Sequence, residues 1–189
     1  MRYSQAHKED TRCHLVEASR AVAKRSGFAA SGVDALAKAS GLSGGAVYRH
    51  YSSKAELFAA IIDRELEHSM TMLGGDPEES PEGFARTLRG YLSSYHALHP
   101  EDGCAIPALG AEISRAGPEV KRKVETVLKR LQQTWAKGLH DDDEAWAVLS
   151  QCVGAILLAR SVESEQARKE ILGASRRFLG HTIRTGDGQ

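Results

Sequence analysis

The 189-residue chain is 41% hydrophobic and 26% charged, a balance that lets it bury a core and excludes a disordered or fibrous protein. No stretch approaches the ~18 uninterrupted apolar residues of a membrane span, and Met1 to Asp10 lacks the apolar run of a secretory signal, so the expected compartment is the cytoplasm. Formal net charge is zero, yet residues 1–54 hold nine Lys/Arg against four Asp/Glu, a net of +5, and residues 55–189 carry the compensating −5. That asymmetry suits a protein that meets a polyanion with one end and keeps the other away from it.

Cys13, Cys104 and Cys152 are an odd number without a close pair, which gives neither a disulfide framework nor a zinc-ligand spacing. His96, His99 and Cys104 supply three metal-binding side chains but no fourth. Asp141-Asp-Asp-Glu144 lacks the alternation and the glycine of a calcium loop, and reads instead as the acidic start of a helix. No metal or cofactor is expected. Neither is an enzyme, since no nucleophile elbow, phosphate loop or cofactor fingerprint is present.

The apolar pattern is helical throughout. A first helix, Thr11 to Ser26, turns Leu15, Ala18, Val22 and Ala23 inward and places Lys24-Arg25 near its C-terminus, where positive charge suits the helix dipole. Before it, Met1 to Asp10 is polar and expected to fray, with Arg2 and Lys8 as extra cations for phosphate. Gly27 stops the helix, and Phe28 packs back on it. Val33, Leu36 and Ala37 then stripe a short second helix that must end at Ser40, because Gly41 can take the left-handed conformation that turns the chain. Ser43 is a good N-cap for a third helix with Val47 and Tyr51 inward. The methyl of Ala37 lets the two short helices cross closely, as a helix-turn-helix requires. A buried helical hairpin has the same apolar spacing, but the outward residues here, Gly44, Ala46, Tyr48, Arg49 and His50, suit a helix whose start meets phosphate and whose body reaches base edges.

Gly27-Phe28, Ser31-Gly-Val-Asp-Ala-Leu-Ala37, Gly41-Leu-Ser43, Ala46-Val-Tyr-Arg-His-Tyr51 and Ser53-Lys-Ala-Glu-Leu-Phe58, with their spacing, resemble the DNA-binding head of the TetR (tetracycline-repressor-like) transcriptional regulators. The resemblance implies that Tyr48, His50 and Lys54 touch phosphate. It also implies a helical effector domain and a homodimer. Two positions depart from the family's pattern. Gly32 stands where the family usually has a capping Ser or Thr, and Gly44-Gly45 stands where lysine often follows the serine of the turn. Glycine caps tolerably at position 32, whereas Gly44 and Gly45 each weaken the start of the third helix by about 1 kcal/mol relative to alanine.

After Tyr51, Ser52-Ser53 caps a connecting helix to about Leu73, with Leu57, Phe58, Ile61, Ile62, Leu66 and Met70 on one side. Gly74 to Pro81 reads as a linker. A single helix from Glu82 to His99 is expected to turn Phe84, Leu88, Tyr91, Leu92, Tyr95 and Leu98 to one face, and Pro100 ends it. A short helix rich in small residues runs from Gly103 to Ile113, and a longer one from Pro118 to Leu139 with Val120, Val124, Val127, Leu128, Leu131 and Trp135 inward. Small residues leave room, so Tyr91, Tyr95, Cys104, Leu109, Trp135 and Cys152 are the candidate lining of an effector pocket. The next helix, from Asp141 to about Val162, is apolar on nearly every side, and the last, Glu165 to Thr185, repeats apolar residues at seam spacing, including Thr182 and Ile183. Trp146, Val153, Ile156 and Leu157 on the former and Ile171, Ser175, Phe178 and Leu179 on the latter are the candidate dimer interface.

The sequence thus predicts an all-α protein of about nine helices. Residues 1–52 form a helix-turn-helix head, and residues 53–189 an effector-binding and dimerising body, with 53–73 connecting them. Its expected partners are double-stranded operator DNA, a second copy of the chain and a small-molecule effector, with no membrane. Gly32, Ser43, Gly44, Ala46, Tyr48, Arg49, His50 and Lys54 form the DNA-contacting set. The expected function is ligand-released repression; the alternative is an activator or architectural protein without a small ligand.

Overall fold

A computed structural model describes residues 5–74 and 80–185. Arg2, residues 75–79 of the expected linker, and the side chains of Thr182 and Ile183 lie outside the described part. Among the described residues the chain is all α. In order come α1 (Gln5–Ser26), α2 (Val33–Ala39), α3 (Gly44–His50), α4 (Lys54–Leu73), α5 (Pro81–Tyr91) and α6 (Ser94–Leu98). A 3-10 turn (Pro100–Asp102) leads to α7 (Ala105–Arg115), α8 (Pro118–Leu139), α9 (Asp142–Arg160) and α10 (Glu165–Thr185). No described helix is long and apolar enough to cross a membrane.

Two elements differ from the sequence reading for local reasons. Helix α1 begins at Gln5, not Thr11, because the Thr11 hydroxyl does not cap; it donates back to the His7 carbonyl at 2.8 Å, as a threonine inside a helix does. The single helix expected over Glu82 to His99 is two helices. Its hydrogen bonding is interrupted at Leu92 and Ser93, where the Ser93 hydroxyl accepts from His96 N at 3.2 Å and so caps α6. His96 Nδ1 also meets the Tyr91 carbonyl, at 2.6 Å. The interruption changes the phase: His96 and Ala97 turn inward, and Tyr95 and Leu98 turn out.

The chain packs as two compact units, one of residues 1–67 and 100–121, the other of residues 68–99 and 122–189. In the first, α1 packs against α2, α3, α7 and the 3-10 turn. Leu15, Ala23, Leu36, Val47, Leu57 and Ile61 fill its core, with the Phe28 and Phe58 rings 4.7 Å apart. In the second, α10 packs along α9 and against α5 and α6. Trp135 is fully buried, its ring edge-on to Phe84 at 5.1 Å and its indole N–H donating to the Leu73 carbonyl at 3.1 Å. Burying each such side chain contributes about 1.5–3 kcal/mol.

Candidate nucleic-acid interface

Helix α2 ends as its sequence requires. Gly41 takes φ +69°, its N–H donates to the Lys38 carbonyl at 3.1 Å, and Leu42 N–H donates to Ala37 at 2.9 Å, a paired closure that only a left-handed residue permits cheaply. The Ser43 hydroxyl then accepts from Ala46 N at 3.3 Å and opens α3. Val47 anchors α3 inward, and Tyr51 ends it, both almost wholly buried.

The far end of α3 is clamped from α1. Arg12 donates to the His50 carbonyl at 2.6 Å and lies 4.4 Å from the centre of the Tyr51 ring, satisfying an orphan carbonyl at the helix C-terminus with a cation. Tyr48 is 55% exposed, and Arg49 is exposed with no hydrogen bond or ion pair to any described residue. Both point where a ligand can use them. His50 is half-buried. Burial first, then the positive charges of Arg12, Lys8, Arg49 and His7, hold its imidazole pKa below the ordinary value. Ala46 is half-buried on the same helix. Gly32 occupies the N-cap of α2 in extended backbone, with no side-chain cap and open space where a side chain would be.

Lys54 is less free than the resemblance implies. Its ammonium donates to the Ala29 carbonyl at 3.0 Å and sits 5.0 Å from the Phe28 ring centre, which leaves two of its three protons for another acceptor. Glu112 of α7 accepts from the N–H of that same Ala29 at 2.7 Å. The backbone of one residue ahead of α2 is therefore held at both its N–H and its carbonyl.

Behind these contacts lies a buried ionic group with no counterpart in the sequence reading. Lys24 Nζ donates to Glu65 at 2.9 Å and to the Gly103 carbonyl at 2.9 Å, both side chains being fully buried, and Arg20 Nε donates to the other Glu65 oxygen at 2.6 Å. Desolvation pulls the Lys24 pKa down against the opposing pull of Glu65. Arg20 is held up by its bonds to Glu65 and Glu17 despite its own desolvation. Local periodicity could not show these pairs. Their partners are 41, 45 and 79 residues away.

The candidate pocket residues are divided between the two units. Cys104 and Leu109 are buried in the first, and Tyr91, Trp135 and Cys152 are buried in the second. Tyr95 is not on a buried wall: the interruption before α6 leaves it 61% exposed, stacked on His99 with ring centres 4.3 Å apart. A cleft of about 560 Å³ does open in the first unit, and its walls mix the ion-paired Glu17, Arg64 and Glu67 with Val16, Tyr51 and Ala60.

The candidate interface residues also divide. Ile156 and Leu179 are core of the α9–α10 seam, and Ser175 lies beside them, its hydroxyl accepting from Gln151 at 3.0 Å, so all three are corrected to intrachain packing. Trp146, Leu157 and Phe178 face out, the last 63% exposed, and Val153 and Ile171 are half-buried. Leu158, at 58% exposure, joins the outward set and was not anticipated as part of an interface. An all-round apolar helix gives no signal for which side its own chain covers.

Residues 15–61 match the family described as bacterial regulatory proteins, tetR family. The chain is 29% identical over 93 residues to the HTH-type transcriptional repressor SCO4008 of Streptomyces coelicolor, covering 49% of this chain and 46% of that protein. It is 33% identical over 72 residues to the uncharacterized HTH-type transcriptional regulator YfiR of Bacillus subtilis, covering 38% of this chain and 35% of that one. The match thus spans less than half the length of either relative, and both are named as regulators rather than enzymes. The fold as a whole is similar to that of a TetR transcriptional regulator from Chloroflexus aurantiacus, with a TM-score of 0.73 at 21% identity over 93% of this chain and 97% of that one. The segment that matches this family's model contains the helix-turn-helix of α2 and α3 and the part of α1 that braces it.

Proposed function

We propose that the protein is a cytoplasmic, homodimeric repressor that binds operator DNA through α3 and is released by a small effector. The observation that carries the DNA-binding part is the free, exposed Arg49 beside exposed Tyr48 on a short helix capped by Ser43 and clamped by Arg12. A guanidinium without an internal partner can hold a guanine O6/N7 edge with two bonds, whereas Tyr48, His50 and Lys54 each need only one phosphate oxygen. Ser43 and the Ala46 methyl add weaker contacts, and Gly32 and Gly44 let backbone approach. In this reading residues 1–52 contact DNA, and residues 53–189 bind the effector and dimerise.

The repressor assignment draws on the name of the Streptomyces coelicolor relative. The dimer draws on the outward Trp146, Leu157 and Phe178, apolar surface of the kind that a second copy covers. Two heads then hold successive major grooves, and an effector acts by favouring a state whose spacing no longer fits. An activator or architectural role without an effector keeps the same DNA surface and differs only in lacking ligand-dependent release.

Titration of operator and scrambled duplexes at several salt concentrations tests the reading. Arg49→Ala is expected to cost ~1–3 kcal/mol per half-site on operator and little on scrambled DNA. Lys54→Ala is expected to weaken both alike and to lower the salt slope by about one. Equal losses from Arg49→Ala on the two duplexes would assign it to phosphate.

A further inference from the structure

We propose that Asp34 is a specificity-determining residue of the DNA-reading surface, and that Gly44 is glycine to make room for its carboxylate. The inference rests on the DNA-binding reading above. A Cβ built on Gly44 would collide with Asp34 Oδ1, and would lie 3.3 Å from its Cγ. Gly45, the next residue, has nothing within 4 Å of the same position. A side chain at Gly44 would have to push the Asp34 carboxylate aside, and one at Gly45 would not.

Asp34 is exposed in the first turn of α2 and has no hydrogen bond or ion pair to any described residue. The side-chain cap of α3 is Ser43, which accepts from Ala46 N. The Asp34 carboxylate ends against the first residue of α3, the helix that also carries the exposed Arg49. An acid kept free at that place works against phosphate, and so lowers affinity for DNA of any sequence.

The same group has one favourable use in a major groove. An ionised carboxylate only accepts hydrogen bonds. Guanine presents N7 and O6 and thymine presents O4, all acceptors that it repels; adenine pairs its N6 donor with an adjacent N7 acceptor; cytosine N4 alone offers a donor without that penalty. Asp34 therefore selects cytosine at one position of each half-site while it weakens sequence-independent binding. Arg49 adds attraction for one base; Asp34 adds rejection of three.

Selection of sites from a random duplex library by the full-length protein tests this, with Asp34→Ala, Asp34→Asn and Gly44→Ala beside the wild type. The wild type is expected to select a cytosine in each half-site, with about tenfold or greater preference. Asp34→Ala should lose that preference alone, and should bind scrambled duplex more tightly at low salt. Asp34→Asn should move the preference toward adenine, whose N6/N7 edge an amide matches. Gly44→Ala, which displaces the carboxylate, should relax the same position as Asp34→Ala does. An unchanged motif from Asp34→Ala would overturn the assignment and leave Asp34 as an acid at a helix start. A wild type that selects no motif and shows no salt-dependent duplex binding would instead overturn the DNA-binding reading itself. Since Asp34 is exposed, its two variants carry the test even where Gly44→Ala does not fold.

Discussion

In the unit of residues 1–67 and 100–121, segments far apart in the chain are joined by charged side chains: Lys24 to Glu65 and Gly103, Arg12 to His50, Glu112 to Ala29, Arg25 to Glu101. In the unit of residues 68–99 and 122–189 the corresponding work falls to Leu131, Val148, Ile156, Leu172 and Leu179, and its long polar ties, Arg160 to His96 and Ala97 and Arg176 to Leu92, end on backbone carbonyls. The two kinds of bond respond differently to displacement. Apolar burial is non-directional and falls off with area, so a small shift costs little. A buried ion pair depends on distance and angle, and half of it left behind is worse than none. The unit that carries α3 thus adds to its apolar core one buried ionic group of that kind, Lys24 with Glu65, to which the 100–115 segment supplies the Gly103 carbonyl.

The largest expected effect lies in the apolar unit. Ile156→Asp places a carboxylate in the α9–α10 core with nothing to pair with, and should cost ~4–5 kcal/mol or more, seen as loss of the cooperative melt. Phe178→Asp, three turns along the neighbouring helix's outward side, should leave the melt in place and shift sedimentation from dimer to monomer at micromolar concentration. If both variants unfold alike, Phe178 is core and not surface. If wild type already sediments as a monomer, the outward apolar set is not a dimer face.

Next comes the ionic group. Lys24→Met leaves Glu65 buried with Arg20 as its sole cation, at an expected cost of ~3–5 kcal/mol to folding. Lys24→Met with Glu65→Leu removes both charges and should recover much of that loss by denaturant titration. Recovery would mean that the pair fixes geometry more than it stabilises. In that event the double variant should fold well yet bind duplex less selectively than wild type, a split that an apolar core substitution does not produce.

The division of labour explains what was legible beforehand. The helix-turn-helix could be read because each of its determinants acts within a few residues: Gly41 with its positive φ, Ser43 capping Ala46, Val47 four residues before Tyr51. The α9 start was legible for the same reason, Asp141 accepting from Glu144 N at 2.8 Å. Sequence alone makes Lys24 a cation placed for the helix dipole, because nothing near it in the chain reveals Glu65. An unbroken period puts Tyr95 on the face of Tyr91, and one capping serine between them undoes the phase. Ile156, Leu157 and Leu158 are equally apolar, and only packing against α10 tells the buried one from the exposed two.

The smallest effect sharpens the comparison most, because it moves folding and binding in opposite directions. In the free head, burial and the surrounding cations depress the His50 pKa, so protonation favours the unfolded chain. The stability that His50 contributes is therefore present above its unfolded value of about 6.5 and is lost as pH falls from there toward the folded pKa. A phosphate beside His50, where the family resemblance puts one, reverses the balance: the anion favours imidazolium, and binding takes up a proton. Duplex affinity should then rise as pH falls through the histidine range, by up to about tenfold per pH unit, while the unbound protein becomes slightly less stable over the same range. His50→Gln keeps a donor for the phosphate but removes the titration, and should flatten both curves. An affinity that falls with pH in step with stability would mean that His50 serves only the α3 end that Arg12 clamps, and that no phosphate reaches it.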